Sequence, residues 1–519
     1  MKEKIKNLIL IILIILFCIT ISPITMQNDT YYTIKIGDHI LQNGIDMQDP
    51  FSWHENLPYT YPHWAYDVAT YLVYSTGQAI AGQTGAYAAI YILTCVLAAI
   101  LGVTLFKVNK KISKNTLISF VVTLLAIYSL RGYIAARAQL VTFILFVLEI
   151  YFIEMFLQEP KKRYVLGLIA IPILIANLHL AVWWFYFVLY LPYIAEFILA
   201  KISKHQDATI FHRIKITANK NIKYLILIMV ICLATGLLTP LGTTPYTYLI
   251  NTMMGNTTQN INEHLPMTLM QHDEIVVALG IILAIFVCSK AKIKLSDTIM
   301  LFGLMFLMFY SRRQQSLFLL VGSIILNKML LEVLENYKEG GIQILEKIML
   351  SKIPIALISL FVVICSVYFI VNKEGDTFVS KSEYPVEASE WILENLNLNE
   401  IRLFNEYNYG SYLLYRGIPV FIDSRADLYA PEFNTETEKA EDGRDIFMDF
   451  IDASYLNVFY EDTFEKYDIT HVILYRNSKM NLMICNTNKG KYNCLYEDDY
   501  FTIYEIKEEP ISTDLLERE

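Results

Sequence analysis

Ionisable residues cluster in the polar segments that border the apolar runs of this sequence. Asp29 directly follows an apolar run from about Leu8 to Ile24, and Asp49 lies further along the same polar segment. A carboxylate at a membrane surface can accept the proton of a hydroxyl group while a lipid-linked substrate lies alongside. We therefore predict two catalytic residues, Asp29 as a general base and Asp49 as a carboxylate that binds a metal ion or substrate. The alternative is that both acids are solvated loop residues or helix caps.

Arginines form a second group of candidates. Arg131 and Arg137 flank the short turn between the third and fourth apolar runs, and Arg312 and Arg313 lie in the turn between the ninth and tenth. Guanidinium groups bind phosphate through paired hydrogen bonds, and ionisable residues near a membrane are often functional. The four arginines are therefore predicted to bind the phosphate or pyrophosphate of a lipid substrate. The alternative is that they extend to ordinary lipid headgroups.

His63, Asn177 and His179 are further residues that we predict to contact substrate. Asn177 and His179 precede two tryptophans, and a polar pair beside indoles can bind a sugar by hydrogen bonding and stacking. Tryptophan also anchors helices at membrane interfaces, which is the alternative interpretation. No cofactor follows with certainty from the spacing. The one cofactor considered is a divalent cation, with candidate ligands at Glu263, His264, His272 and Asp273.

The composition is that of a protein with many membrane spans. Of the 519 residues, 55% are hydrophobic and only 18% are charged, and the mean hydropathy is +0.40. A soluble protein of this length does not need so much apolar surface. The formal net charge of -9 argues against nucleic acid as a partner, so membrane lipid is the expected environment.

Eleven apolar runs have about the length that a bilayer requires. Loops rich in lysine and arginine alternate with loops poor in both, and basic loops usually face the cytoplasm. This places the N-terminus in the cytoplasm and, for an odd number of spans in the plasma membrane, residues 26–85, 240–274 and 373–519 outside. The runs are 8–25, 86–106, 115–130, 138–157, 164–180, 182–200, 222–239, 275–289, 297–310, 315–332 and 350–371.

The predicted fold is therefore a polytopic α-helical membrane protein with a small extracytoplasmic α/β domain at the C-terminus. We predict a multi-span domain over 1–372, with a large first outer loop at 26–85, and the α/β domain over 373–519. The elements predicted in the tail are strands at Ile401–Phe404, Pro419–Ile422, His471–Tyr475 and Phe501–Ile506 and helices at Pro385–Leu396 and Asp445–Leu456.

The tail contains a cluster of charged residues and a pair of cysteines. Asp423, Arg425 and Asp427 follow a predicted strand and could form a site at its end, although a structural network of salt bridges is the preferred interpretation. Cys485 and Cys494 flank a polar stretch that is predicted to form a hairpin turn. In an oxidising compartment these two cysteines would pair as a disulfide.

Several of these segments resemble the GT-C superfamily of membrane glycosyltransferases, which includes protein O-mannosyltransferases, aminoarabinose transferases and bacterial transferases that act on lipopolysaccharide cores. The resemblance lies in Asn28-Asp29 directly after the first span and in a helical outer loop with Gly37 and Gly44. It also lies in the segments Tyr61-Pro62-His63-Trp64, Arg137-Ala138-Gln139 and Asn177-Leu178-His179. The tail segment Phe421–Asp427 looks like the outer domain of an uncharacterised bacterial branch.

The resemblance implies an enzyme that transfers a sugar, with inversion, from a polyprenyl-phosphate donor to an acceptor hydroxyl of a glycan, lipid or protein. Asp29 would be the base, and the arginines would stabilise the leaving phosphate. The sequence departs from the family pattern where Thr30 replaces a second acid and Tyr-Pro-His replaces Lys-Pro-Pro. Two other functions stay open: a transporter or flippase of lipid or polysaccharide, and a catalytically inactive scaffold whose outer domain binds a partner.

Overall fold

The computed structural model describes residues 3–202, 209–210, 213–255, 257–270, 272–337, 341–373, 375–434, 445–487 and 490–507. Parts of the predicted basic loops and the end of the predicted outer domain, 508–519, lie outside the described residues.

The first 373 residues are mainly helical, because long apolar runs without internal breakers satisfy their own backbone groups best as helices. The helices are α1 (Glu3–Ile21), α2 (Asn28–Asn43), α3 (Trp64–Ser113), α4 (Thr116–Ser129), α5 (Ala138–Gln158), α6 (Lys162–Leu178), α7 (Trp183–Val188), α8 (Leu191–Ile202), α9 (Ile222–Leu233), α10 (Thr244–Met254), α11 (Thr257–Asn260), α12 (Asp273–Cys288), α13 (Leu295–Tyr310), α14 (Gln315–Tyr337), α15 (Gly341–Met349) and α16 (Lys352–Val371). Short 3-10 turns lie at Arg131–Tyr133, Leu180–Val182, Ala234–Leu237 and Arg312–Gln314. Three two-residue strands, β1 (Thr209–Ile210), β2 (Ile214–Lys215) and β3 (Ile293–Lys294), join two loops.

Among the described residues, six helical segments are long and apolar enough to cross a membrane, which makes this a multi-pass membrane protein. They are Glu3–Ile21, Trp64–Ser113, Ala138–Gln158, Leu180–Ile202, Arg312–Asn336 and Lys352–Val371. Each of the eleven predicted runs overlaps a helix, but several of these helices are shorter, at 10 to 17 residues. The count of eleven spans therefore stays a prediction.

The predicted first outer loop contains more regular structure than a loop. Its helix-like stretch is confirmed as α2, and its last third is the first half of α3. This 50-residue helix bends at Ala81 and Gly82, where Gly82 has a φ of 64° that suits a residue without a side chain. The predicted run 86–106 covers only the part of α3 beyond this bend.

The C-terminal region, residues 375–507, has a mixed sheet with helices packed around it. Its elements are α17 (Val386–Asn395), β4 (Leu403–Phe404), α18 (Tyr407–Tyr415), α19 (Pro431–Asn434), α20 (Ile446–Tyr455), α21 (Tyr460–Lys466), β5 (His471–Tyr475), α22 (Lys479–Thr487), β6 (Tyr492–Glu497) and β7 (Phe501–Ile506), with a 3-10 turn at Ala426–Tyr429. The strand order is β4-β5-β7-β6, with β4 parallel to β5 and the other pairs antiparallel.

Most predicted elements of this region are confirmed, with two exceptions. The predicted strand at Pro419–Ile422 is wrong, since only Val420 pairs, in a single bridge to Ser52. The predicted hairpin between Cys485 and Cys494 is also wrong, because Cys485 lies in α22 and Cys494 in β6. Both thiols are free and exposed, and the Sγ atom of Cys485 lies 3.0 Å from the hydroxyl of Tyr504.

The buried apolar residues form two main cores that do not follow the predicted boundary at 372. One core fills the helix bundle. The other joins residues 26–62 to the C-terminal region. Tyr31 of α2, for example, packs edge-on against Tyr384 and Tyr412 at ring distances of 5.0 and 5.1 Å. The segment after the first helix is thus part of the same packed unit as the C-terminal sheet.

Candidate functional site

A cavity of about 1400 Å³ lies where one end of the helix bundle meets the C-terminal region. It is open to one side and large enough for a sugar and a lipid headgroup together. Residues from distant parts of the chain line it, among them Asp29, Tyr32, His63, Arg131, Arg137, His179, Arg312, Arg313, Tyr407, Arg425 and Asp427. Of the nine residues predicted to be catalytic or substrate-binding, Asp49 and Asn177 are outside this lining.

Asp29 occupies the first turn of α2, where a carboxylate is favoured by the exposed backbone N–H groups. Its side chain forms an ion pair with Arg137, the residue that caps the N-terminus of α5. Arg137 also lies 4.0 Å from Glu263, and it keeps 29% of its side chain exposed to the cavity. One guanidinium thus bridges Asp29 and the open space.

Arg312 and Arg313 form the tight turn between α13 and α14, and neighbouring backbone holds both in place. The N–H groups of Arg312 and Arg313 donate to the carbonyls of Leu265 and Glu263, at 3.0 and 2.7 Å. The Nη1 atom of Arg313 lies 3.3 Å from Nε2 of His264. Burial and the charge of Arg313 lower the pKa of His264 to about 4, so this histidine is neutral at pH 7.

Within the part of the chain that the structure describes, the two arginines of this turn form no ion pair with a carboxylate closer than 4.0 Å. All recorded ion pairs of the cavity arginines involve Arg131, Arg137 and Arg425. Arg131 differs from Arg313, since it lies 3.6 Å from Glu274 and stacks on the ring of Tyr128. Among the described arginines that line the cavity, those without a close ion-pair partner are therefore the two in the turn Arg312–Gln314.

His63 and His179 lie side by side, with ring centres 6.3 Å apart. His63 caps the N-terminus of α3, and its Nδ1 atom is 2.9 Å from the carboxylate of Asp67 one turn later. Its Nε2 atom lies 3.4 Å from the hydroxyl of Tyr32. His179 ends α6, and its Nδ1 atom is 2.9 Å from the hydroxyl of Thr142.

Asn177 does not reach the cavity. Its amide nitrogen donates to the carbonyls of Ile173 and Leu238, and its amide oxygen accepts from the indole of Trp64. The bonds to Trp64 and Leu238 join α6 to the start of α3 and to the loop after α9, whereas the bond to Ile173 lies within α6. The structure thus gives Asn177 a packing role and leaves its neighbour His179 at the cavity wall.

Asp49 belongs to a buried ionic network. Its side chain has no exposed surface and accepts a 2.6 Å hydrogen bond from Arg425, which also binds Asp423 at 2.6 Å. Burial would raise the pKa of Asp49, but Arg425 and the Ser52 N–H hold it below its usual value. Asp423 also accepts from the hydroxyl of Tyr429. The network encloses this carboxylate fully, and the catalytic role of Asp49 as a ligand of metal or substrate stays a prediction.

The structural network of salt bridges predicted for Asp423, Arg425 and Asp427 fits the first two residues, but Asp427 is not part of it. Its carboxylate accepts a 2.6 Å bond from the hydroxyl of Tyr248 on α10 and lines the cavity. Burial raises the pKa of Asp427. Among the described residues, no group of three or more His, Cys, Asp or Glu side chains is arranged to hold a metal ion. Glu263 and His264 instead face Arg137 and Arg313.

The sequence predictions missed Asp67 and Tyr32. Asp67 follows His63 by four residues, and this spacing places both on one face of a helix. This spacing indicates the pair only if the segment is helical, and the sequence prediction places residues 64–81 in an outer loop. Tyr32 follows Asp29 by three residues on α2, which brings both side chains to the cavity.

No family model and no curated protein matches the sequence. The fold is similar to the crystal structure of the oligosaccharyltransferase of Archaeoglobus fulgidus in its apo form, with a TM-score of 0.56 and 11% sequence identity over 91% of this chain and 70% of that one. It is also similar to the oligosaccharyltransferase AglB of A. fulgidus in complex with an inhibitory peptide and a dolichol-phosphate, with a TM-score of 0.54 and 11% identity over 98% of this chain and 75% of that one. At this identity the likeness concerns the fold alone. The chain therefore shares the overall fold of these archaeal oligosaccharyltransferases.

Proposed function

We propose that this protein is a membrane glycosyltransferase that moves a sugar from a polyprenyl-phosphate donor to an acceptor hydroxyl. The observation that carries the proposal is the pair Arg312 and Arg313, whose charges have no carboxylate partner among the described residues although both line a large cavity. Unpaired charge beside a membrane is costly, so an anionic ligand is expected there. A lipid phosphate satisfies this need through paired hydrogen bonds.

The comparison with AglB supports the lipid class of the donor. That protein, which has the same fold, was solved with a dolichol-phosphate and a peptide. A polyprenyl phosphate presents the same chemistry to a protein, an anionic phosphate at the end of an isoprenoid chain. The chain here offers cations and apolar helices at one cavity, which suits such a lipid.

In the proposed mechanism, Asp29 removes the proton from the acceptor hydroxyl, and the acceptor oxygen attacks the sugar from the face opposite the phosphate. The bond between the sugar and the phosphate oxygen then breaks, with inversion. Arg137 and Arg313 stabilise the charge that grows on the phosphate. Because Arg137 bridges Asp29 and the cavity, a bound phosphate would draw the guanidinium away and release the carboxylate as a base.

A transfer assay tests the proposal. Purified protein would be incubated with short-chain polyprenyl phosphates that carry mannose, glucose or aminoarabinose, and the release of polyprenyl phosphate would be followed by mass spectrometry. We expect release for at least one sugar and its loss in Arg312→Ala/Arg313→Ala. Arg476→Ala, which alters an exposed pair with Glu497, is the matched control. Movement of the intact donor across liposomes without release would instead support the transporter function.

The orientation is part of the proposal: the N-terminus faces the cytoplasm and the C-terminal region lies outside the plasma membrane. Cys485 and Cys494 are exposed free thiols and can report on it. In a Cys288→Ser background, which removes the exposed cysteine of α12, a membrane-impermeant maleimide should label the protein in intact cells. Labelling only after the cells are opened would reverse the orientation, and labelling that requires prior reduction would show that the two cysteines pair.

A further inference from the structure

The pair formed by His63 and Asp67 has the geometry of a proton-handling dyad. Nδ1 of His63 lies 2.9 and 3.0 Å from the two oxygens of Asp67. A carboxylate at Nδ1 orients an imidazole and stabilises its protonated form. The other nitrogen, Nε2, lies 3.4 Å from the hydroxyl of Tyr32, and both residues line the cavity.

Packing fixes the carboxylate of this pair. Asp67 has no exposed side-chain surface, since α2 lies directly against this turn of α3. The close approach depends on Gly37, where a Cβ atom would lie 2.7 Å from that of Tyr71. A buried carboxylate requires a positive partner, and within the described residues the ionisable group bonded to it is His63.

The dyad is also near the cations that would hold the phosphate. His179 packs against His63 and is within electrostatic range of Arg137 and Arg313. The ionisable groups around the dyad are Asp67 and Tyr66 on the helix of His63, Tyr32 on α2, Tyr59 in the segment before α3, His179 at the end of α6, Arg137 and Arg313 beyond His179, and Arg425, whose charge acts on Asp67. A phosphate bound by the arginines would thus lie near the imidazole of His63.

We propose that His63 is the acid of the reaction, which protonates the leaving phosphate, and that Asp67 is its positioning residue. This inference rests on the proposed function. As the bond between the sugar carbon and the phosphate oxygen breaks, its electron pair stays with that oxygen. The proton on Nε2 of the imidazolium passes to the phosphate, while Asp29 keeps the proton of the acceptor. The lipid leaves as a phosphate monoanion, and both side chains return to their starting states by exchange with water.

The pH dependence of transfer distinguishes this role from others. Imidazoles change charge between about pH 5 and 8, so an acid gives an alkaline fall in kcat whereas a base gives an acidic one. We expect His63→Gln to lower kcat by roughly 100-fold with little change in KM, and to remove the alkaline fall. Asp67→Asn should shift that fall to lower pH, since the imidazolium loses its stabilising charge, and Asp67→Glu should restore part of it.

The matched control is His39→Gln, which removes the contact between His39 on α2 and Asp46 in the segment after α2. His39 lies 2.9 Å from Asp46 and is outside the cavity lining, so its loss should leave the pH profile unchanged. An alkaline fall that survives in His63→Gln would overturn the inference and leave the proposed function intact. Wild-type protein that releases no polyprenyl phosphate at any pH would overturn the proposed function itself.

Discussion

Two groups of arginines meet at the cavity, and they differ in how completely their charges are matched. Arg425 is buried, with 3% of its side chain exposed, and binds Asp49 and Asp423 at 2.6 Å each. Arg312 and Arg313 face the same space without a carboxylate partner among the described residues. Both groups consist of arginines, so they differ only in whether the surrounding chain places carboxylates beside the guanidinium groups.

The contrast separates stability from binding. A buried arginine between two carboxylates is held by the folded chain, and loss of one partner leaves an expensive uncompensated charge. A partly exposed arginine without a partner contributes little to the fold but attracts an anion. The two groups should therefore respond to mutation in opposite ways, one in the free energy of unfolding and the other in ligand affinity.

The largest effect is expected for Arg425→Met. This change leaves Asp49 and Asp423 buried without their cation, and should lower the free energy of unfolding by roughly 3–5 kcal/mol. Thermal unfolding in detergent would measure it, with Arg476→Met as the control because Arg476 and Glu497 are both 48% exposed. Equal melting temperatures for the two variants would contradict a structural role for the buried network.

A second large effect, confined to activity, is expected for Asp29→Asn. The substitution keeps the size of the side chain and removes the base, so transfer should fall by roughly two to four orders of magnitude at an unchanged melting temperature. The release of polyprenyl phosphate measures the rate. Near-normal release would exclude Asp29 as the base, and a lowered melting temperature would move it into the structural group.

Within the open group, Arg313→Ala should weaken the binding of polyprenyl phosphate by roughly 10- to 100-fold, the value of one or two charge-assisted hydrogen bonds. Arg131→Ala should have a smaller effect, because Arg131 lies 3.6 Å from Glu274. Binding can be measured by native mass spectrometry of the protein with added lipid. The same loss in both variants would show that the missing counter-charge does not identify the phosphate site.

The smallest effect concerns Glu406, an acid of the cavity wall that caps α18 and has no recorded cation partner in the described residues. Burial raises the pKa of Glu406 to about 7, above its usual value of 4.5. A raised pKa contributes stability below the usual pKa, and this stability is lost as the pH rises through 7. Wild type loses this stability as the pH rises from 5 to 8, whereas Glu406→Gln does not. The free energy of unfolding of the variant should therefore rise by on the order of 1–2 kcal/mol relative to that of wild type over this range. Parallel stability curves across that range would contradict the shift.

Local patterns carried much of the sequence prediction. The apolar runs predicted α1 and α5 to within a few residues at most boundaries, and β5 and β7 were predicted at their observed positions. Seven of the nine residues predicted to be catalytic or substrate-binding line the cavity. Ionisable side chains next to apolar runs stand out in the sequence of a membrane protein. Asp29 and Arg137, which form an ion pair, were both chosen on that basis.

Long-range pairing was beyond the sequence. Asp49 and Arg425 were each singled out, but nothing local indicates that residues 376 positions apart share one buried bond. The first half of α3 was not predicted as a helix because Asp67 and several glycines interrupt its apolar pattern. In the structure the glycines allow close packing, and Asp67 contacts His63. Strand β6 was missed because only its first residue is buried, so it lacks the run of buried residues that marks β5 and β7.

The shared core of residues 26–62 and the C-terminal region has a consequence for biosynthesis. The amide of Asn28 donates to the carbonyl of Tyr407, so the two ends of this contact are separated by 379 residues of chain. At a synthesis rate of about 5–20 residues per second, the first segment waits roughly 20 to 80 s for its partner to be made. The cavity is therefore among the last parts to assemble, and a chain that stops before the C-terminal sheet cannot carry it.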